Sequence, residues 1–315
     1  LLNEFTLIEE FFTKKLPSPT DVLLGIGDDG AVLKVPADQA LVIAVDTLVA
    51  GVHFPVDTAA ADIGFKALAV NLSDLAAMGA YPRWITLALT LPAMDTAWLQ
   101  AFAQGLFTLA DQYQIQLVGG DTTRGPLTIT IQAHGFVPAQ QTLRRSGAKI
   151  GDKIYVSGTL GDAGLGLQIA LHNINLPSTE EQFLLQRLNR PLPRVELGLL
   201  LRQFATSAID ISDGLLADLT HITEQSHVGA TLTAEQLPLS SALSRSLSHH
   251  EALQLALTAG DDYELCFTIP AAREQEFLLA SNQHPCTCIG FISEEPGITL
   301  VDFPHSLLAT GYRHF

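Results

Sequence analysis

Five short acidic motifs are spread along the chain: Gly27-Asp28-Asp29-Gly30, Val45-Asp46-Thr47, Asn71-Leu72-Ser73-Asp74, Gly119-Gly120-Asp121-Thr122 and Asp210-Ile211-Ser212-Asp213-Gly214. Each sets one or two carboxylates beside Gly, Ser or Thr, and several fall where an apolar strand or helix is expected to end. Carboxylates gathered by folding repel one another unless a cation neutralises them, and hard divalent cations prefer oxygen ligands. A site of this kind holds metal-bound phosphates in spite of its own negative charge. These residue types therefore point to Mg²⁺-dependent phosphate chemistry.

Each motif also has an ordinary reading. Gly and Asp are common turn formers, although two adjacent like charges are an odd choice for a turn alone. Asp46 would be a turn residue or a helix N-cap, yet at the end of an apolar strand its charge is costly if buried and unpaired. Asn71 and Asp74 lie three apart on one helix face among Leu68, Leu72 and Leu75, as a structural polar pair or a functional one. Gly119 and Gly120 let backbone approach a phosphate, with Asp121 placed to hold its cation. Ser212 or Asp213 would serve as an N-cap, which leaves Asp210 unexplained. Arg144-Arg145 beside Ser146-Gly147 is a phosphate clamp or a solvated linker charge. Gly158 to Gly166 lacks dinucleotide-loop spacing and a Lys-Ser/Thr ending, so it reads as a tight strand-to-helix turn. His53 is either a packed core histidine or a substrate contact, and no Ser/His/Asp order can be argued.

The elements that must position these residues follow from periodicity. Leu41 to Val45 reads as a buried strand ending at Asp46, and Ala59 to Ala80 as an Ala-rich helix stopped by Gly79 and Pro82. Arg83 to Leu91 is a strand. Trp98 to Gln116 shows a helical apolar face. Leu127 to Val137 alternates as a half-exposed antiparallel strand does. The polar run from Pro138 to Gly151 marks a junction, giving domains over 1–138 and 139–315. Strand 153–157, strand-turn-helix 208–225, strand 263–269, a helix from Ala271 and strand 288–292 follow. Strands and helices mix without a regular βαβ period, so a two-domain α+β fold is expected.

Bulk properties exclude several classes. The 315 residues are 47% hydrophobic and 16% charged, with mean hydropathy +0.26, which suits packed cores and exceeds what one core usually serves. Net charge is −16. Residues 1–140 hold 6 basic and 14 acidic groups and residues 141–315 hold 11 and 19, so each half carries −8. Nucleic acid, which needs a basic footprint, is excluded as a partner. Three cysteines, Cys266, Cys286 and Cys288, fall short of a disulfide framework or a zinc site and fit a reducing cytoplasm. No membrane helix or signal peptide is expected.

In order and completeness the motifs resemble those of the thiamine-monophosphate kinases, in the superfamily of aminoimidazole-ribonucleotide synthetase and selenophosphate synthetase. Besides the acidic motifs, the resemblance is carried by Gly51-Val52-His53-Phe54, Arg145-Ser146-Gly147-Ala148, Asp262-Tyr263-Glu264-Leu265 and Gly311-Tyr312-Arg313-His314-Phe315, over essentially the whole chain. It implies a two-domain enzyme, dimeric through the sheet of its N-terminal domain, that uses ATP and Mg²⁺ in a cleft to phosphorylate thiamine monophosphate to thiamine diphosphate. By matching positions, Asp29, Asp46, Asp74, Asp121, Asp210 and Asp213 would be metal ligands. Gly120, Asp121, Arg145 and Ser212 would contact ATP, and His53, Asp261 and Tyr312 the thiamine phosphate. Two positions depart from the family: Ala44-Val45 precedes Asp46 where a Ser or Thr is usual, and Asp261 stands where Glu is frequent. The alternatives are another ATP-dependent activity of the superfamily, of the amidine-forming type, and a non-catalytic metal- or nucleotide-binding module.

Overall fold

The computed structural model describes residues 8–13 and 20–303. Two compact units emerge: unit 1 runs to Leu75 and resumes over Ala80–Gln140, and unit 2 comprises Ala76–Gly79 and the chain from Gln141.

In unit 1 the short strands β1 (Val22–Leu24) and β2 (Val32–Leu33) pair antiparallel. Strand β3 (Gln39–Val49) leads to helix α1 (Ala60–Ala77), β4 (Tyr81–Leu91), α2 (Thr96–Gln112), β5 (Gln116–Arg124) and β6 (Thr128–Pro138). The sheet order is β3-β6-β4-β5. Pairing is antiparallel except between β4 and β5, whose parallel register needs the crossover that α2 supplies. Asp95 starts α2 by accepting the N–H groups of Ala97 and Trp98. The helices cross closely because Gly64 and Gly105 face backbone; a Cβ on Gly105 would lie 1.8 Å from the Ala61 carbonyl. That approach buries α1 almost all round, with Leu68, Leu72 and Leu75 inaccessible.

Strand β3 differs from its expectation in two ways. It continues past Asp46 to Val49, so the carboxylate sits inside a strand. It is also an edge strand whose Leu41, Ile43 and Val45 are exposed, alternating with residues on the other face. An apolar run reads as buried from sequence, and only its place at the sheet edge reverses that. The helix expected over 98–116 runs instead from Thr96 to Gln112, because Gln114 turns to positive φ and Gln116 opens β5. Gly119-Gly120-Asp121 consequently lies within β5.

Unit 2 contains β7 (Lys153–Ser157), α3 (Asp162–Ala170), α4 (Ser178–Asn189), α5 (Val195–Leu201), β8 (Ser207–Asp210) and α6 (Leu215–Ser226). After them come β9 (Gly229–Thr233), α7 (Ser241–Ser246), α8 (His249–Thr258), β10 (Leu265–Ile269), α9 (Glu274–Ala280), β11 (Cys286–Ser293) and β12 (Gly297–Val301). Its sheet has the order β12-β9-β11-β7-β10-β8, antiparallel except for β12 with β9. Leu219 and Ile222 of α6 and Leu253 and Leu257 of α8 pack with Ile209, Cys266 and Ile292 of the strands. The architecture is two-domain α+β with mixed sheets. Among the described residues no helix is long and apolar enough to cross a membrane, and the three cysteines are unpaired thiols.

Candidate functional site

Unit 1 holds a cavity of about 730 Å³, within the range of small-molecule pockets. Its walls include the Gly25–Ala31 turn on one side and Leu117–Thr122 of β5 on another. Asp28, Asp29, Gly120 and Asp121 are thereby brought to one cavity. Asp28 turns the chain by accepting the N–H of Asp29 at 2.9 Å, and both side chains remain exposed. Gly120 could carry no side chain, since a Cβ would lie 1.9 Å from the Leu87 carbonyl. The tight β4–β5 approach thus leaves bare backbone at the cavity wall, the feature phosphate recognition requires.

Asp46 and Asp74 also meet within unit 1. Asp46 is half-buried in β3 and its side chain hydrogen-bonds that of Asp74 in α1. Burial holds the Asp46 carboxyl above the ordinary carboxylate range, with the Asp74 side chain working against that rise. Asn71 does not join them. Its amide donates to the Ala67 carbonyl at 3.0 Å, its side chain is fully buried, and its Oδ1 finds no partner among the described residues. His53 sits in the turn after β3, where Nδ1 accepts the Val49 N–H at 3.0 Å. The ring proton is therefore on Nε2, a hydrogen-bond donor.

In unit 2 Asp210 ends β8 in a buried position, and Ser212 and Asp213 are half-buried in the turn before α6. Neither caps that helix. Gly214 occupies the N-cap position, and Asp218 reaches back to the N–H groups of Ser212, Asp213 and Gly214. Burial, with the nearby charges of Asp210 and Asp213, pushes Asp218 up to about 8, although the amide bonds oppose the shift. The segment 261–264 lies alongside: the Asp261 N–H donates to the Ser212 carbonyl at 2.9 Å and the Tyr263 N–H to that of Ile211 at 2.8 Å. Asp261 and Tyr263 both adopt positive φ. Asp262 and Glu264 between and after them are buried anchors. Asp262 accepts the N–H groups of Gly161 and Ala163, and Glu264 accepts Ser157 Oγ, Arg187 and Arg194.

Sequence comparison decides what these groups belong to. Residues 27–137 match the N-terminal domain model, and 149–303 the C-terminal domain model, of AIR synthase related proteins. Thiamine-monophosphate kinase of Salmonella typhimurium is 49% identical over 319 aligned residues, covering 99% of this chain and 98% of that protein. The chain belongs to the thiamine-monophosphate kinase family. The crystal structure of thiamine-monophosphate kinase from Stenotrophomonas maltophilia superposes with a TM-score of 0.85 at 50% identity, over 90% of this chain and 92% of that one. A second family structure, AaThiL complexed with AMPPCP and TMP, superposes with a TM-score of 0.80 at 32% identity, over 92% of each chain.

In this family member the structure gathers the expected residues into separate sets: Asp29, Gly120 and Asp121; Asp46 with Asp74; and Asp210, Ser212, Asp213 and Asp261. Among the described residues no three His, Cys, Asp or Glu side chains are arranged to hold a metal. Arg145 is exposed in the segment before β7, which is tied to β8 by the Ala208 N–H on the Arg144 carbonyl at 2.9 Å. Tyr312 lies outside the described residues. Sequence reading passed over Asp218, although an acid in the first turn of the helix after Ser212-Asp213-Gly214 is a capping signal. It also passed over Arg187 and Arg194, whose carboxylate partner is 77 and 70 residues away.

Proposed function

We propose that the protein transfers the γ-phosphoryl group of ATP to the phosphate of thiamine monophosphate, yielding thiamine diphosphate and ADP. The observation that carries this reading is near-half identity to thiamine-monophosphate kinases along the whole chain, with every acidic motif in place. Support for both substrates comes from the relative complexed with AMPPCP and TMP. The acceptor is a phosphate oxygen already ionised at neutral pH, so no side chain has to remove a proton. The chain's task is to align two phosphates that repel each other.

Asp29, Asp46, Asp74, Asp121, Asp210 and Asp213 are the proposed Mg²⁺ ligands. Their donor chemistry is all oxygen, which suits a hard divalent cation, and Asp46 and Asp74 lie side chain to side chain, two carboxyls a cation would neutralise. When bound, the metal supplies neutralisation of phosphate charge. Gly120 and Asp121 hold ATP at the bare wall of β5, with Arg145 and Ser212 as further contacts. His53, through its Nε2–H, Asp261 and Tyr312 face thiamine monophosphate. Residues 1–138 carry Asp29, Asp46, His53, Asp74, Gly120 and Asp121, and residues 139–315 supply Arg145, Asp210, Ser212, Asp213, Asp261 and Tyr312.

A homodimer completes the proposal. Leu41, Ile43 and Val45 form an exposed aliphatic row on an 11-residue edge strand, a surface that soluble proteins normally cover. Equimolar ADP and thiamine diphosphate from ATP, Mg²⁺ and thiamine monophosphate, lost in chelator, would bear out the reaction. ADP formation with formylglycinamidine ribonucleotide instead would replace it, and ATP binding without turnover would leave a binding module. Light scattering should give twice the chain mass, and one chain mass for Ile43→Lys.

A further inference from the structure

The turn Ile211–Gly214 presents Ser212 and Asp213, and both of its polar edges are held. On the carbonyl side, Ile211 and Ser212 accept the N–H groups of Tyr263 and Asp261, and the Ile211 N–H donates to the Glu264 carbonyl at 2.7 Å. On the amide side, a single carboxyl oxygen, Asp218 Oδ2, receives three consecutive N–H groups: Ser212 at 3.0 Å, Asp213 at 3.1 Å and Gly214 at 3.1 Å. Three successive amides converging on one point form a concave anion nest of the kind that binds phosphate elsewhere. Here the nest is filled from within by a side chain only 3% exposed. Gly214 makes the geometry possible, because φ is +118° and a Cβ would lie 2.8 Å from the Thr258 carbonyl.

We propose that Asp218 is a positioning residue for the reaction: it fixes the backbone of residues 212–214 from behind, so that Ser212 and Asp213 present their side chains in one arrangement. The kinetic part of this rests on the proposed function; the structural part does not. An acid that only capped its own helix would add stability without setting the turn. Asp218 instead binds amides that precede the helix, on the segment that carries Ser212 and Asp213, an ATP contact and a metal ligand in the proposed function. Its oxygen acts as an acceptor, which an amide oxygen can replace.

The test has two arms on wild type, Asp218→Ala and Asp218→Asn. In ligand-free protein, amide hydrogen exchange of Ser212, Asp213 and Gly214 should rise about tenfold or more in Asp218→Ala and stay within about threefold of wild type in Asp218→Asn. With substrates, Asp218→Ala should lose about 10–100-fold in kcat and need more Mg²⁺ for half-saturation, and Asp218→Asn should recover most of both. If Asp218→Ala does not fold, Asp218→Glu takes its place, since the longer side chain displaces the acceptor. Equal exchange in wild type and the displaced variant would overturn the proposal. So would an Asn variant as impaired as Ala, or a loosened turn with wild-type kcat and Mg²⁺ dependence. A wild type that makes no thiamine diphosphate sinks the functional reading, and the exchange arm still decides the role of Asp218.

Discussion

In unit 1 the side chain of Asp46 is hydrogen-bonded to another carboxyl, that of Asp74, whereas in unit 2 Asp218 receives three backbone N–H groups and Asp262 two. All four are acids at least partly withdrawn from water, yet they are stabilised by different means. Fixed amide dipoles serve an acid that has an architectural task, because they are present whether or not a ligand is bound. A carboxyl paired with a carboxyl has no such fixed donors, and in the proposed function a cation supplies the missing charge. Under the proposed function the contrast separates acids that hold the protein from acids that wait for a ligand, a distinction composition cannot make.

The contrast is sharpest at Asp46, where the largest effect is expected. Asp46→Asn keeps shape and volume but removes ligand charge, so turnover should fall by at least about a hundredfold. Ligand-free stability should move the other way. Burial makes the charged form of Asp46 costly, and a neutral amide relieves that cost, raising Tm by about 2–4 °C. Melting curves with and without Mg²⁺ read both effects, since wild type should be stabilised by Mg²⁺ and the variant less so. A variant that is less stable, active and still stabilised by Mg²⁺ would place Asp46 among the architectural acids.

A smaller effect is expected at Asp262, on the other side of the comparison. It is pushed up to about 8 by burial and by Asp162, with the Gly161 and Ala163 amides and Arg187 opposing. Between its ordinary value of 3.8 and about 8 the native state holds a proton that the unfolded chain has released. Its contribution is therefore complete below the lower value and is lost as pH rises through the window. Ligand-free Tm should fall more steeply from pH 5.5 to pH 8.5 in wild type than in Asp262→Asn. An identical slope in the two proteins would mean that the amides of Gly161 and Ala163 carry the charge of Asp262 without cost.

Much of this is legible in the sequence. The order of the acidic motifs specified the chemistry, and the 3.6-residue spacing located α1 and α2 to within a few residues. The alternation over 127–137 located β6. Other features depend on partners far away in sequence. Leu41 to Val45 looks like a buried strand until its sheet leaves it at the edge. Arg187, Arg194 and Glu264 are ordinary charges until the fold brings two half-buried guanidinium groups onto a Glu264 carboxylate that is fully inaccessible. Asp46 breaks a local rule by sitting inside a strand, and its side-chain partner Asp74 is far away in sequence, so the placement follows from a tertiary contact and not from strand propensity.

The smallest effect concerns Asp261, where the family frequently has Glu. Its φ is +69°, in the left-handed region that short polar side chains tolerate and longer ones resist. The backbone bond from Asp261 to the Ser212 carbonyl holds that conformation beside the proposed metal ligands. Shortening Glu to Asp therefore suits the backbone here, at the cost of reach. Asp261→Glu should lower Tm slightly, by the order of 1 °C, and change KM for thiamine monophosphate by no more than about threefold. Asp261→Asn preserves the tolerance for positive φ and removes the charge, so it isolates the electrostatic contact with the cationic substrate. If that contact exists, KM for thiamine monophosphate should rise about fivefold to tenfold while KM for ATP stays put. Unchanged constants in Asp261→Asn, together with a lowered Tm in Asp261→Glu, would move Asp261 to the architectural side of the comparison, with Asp218 and Asp262.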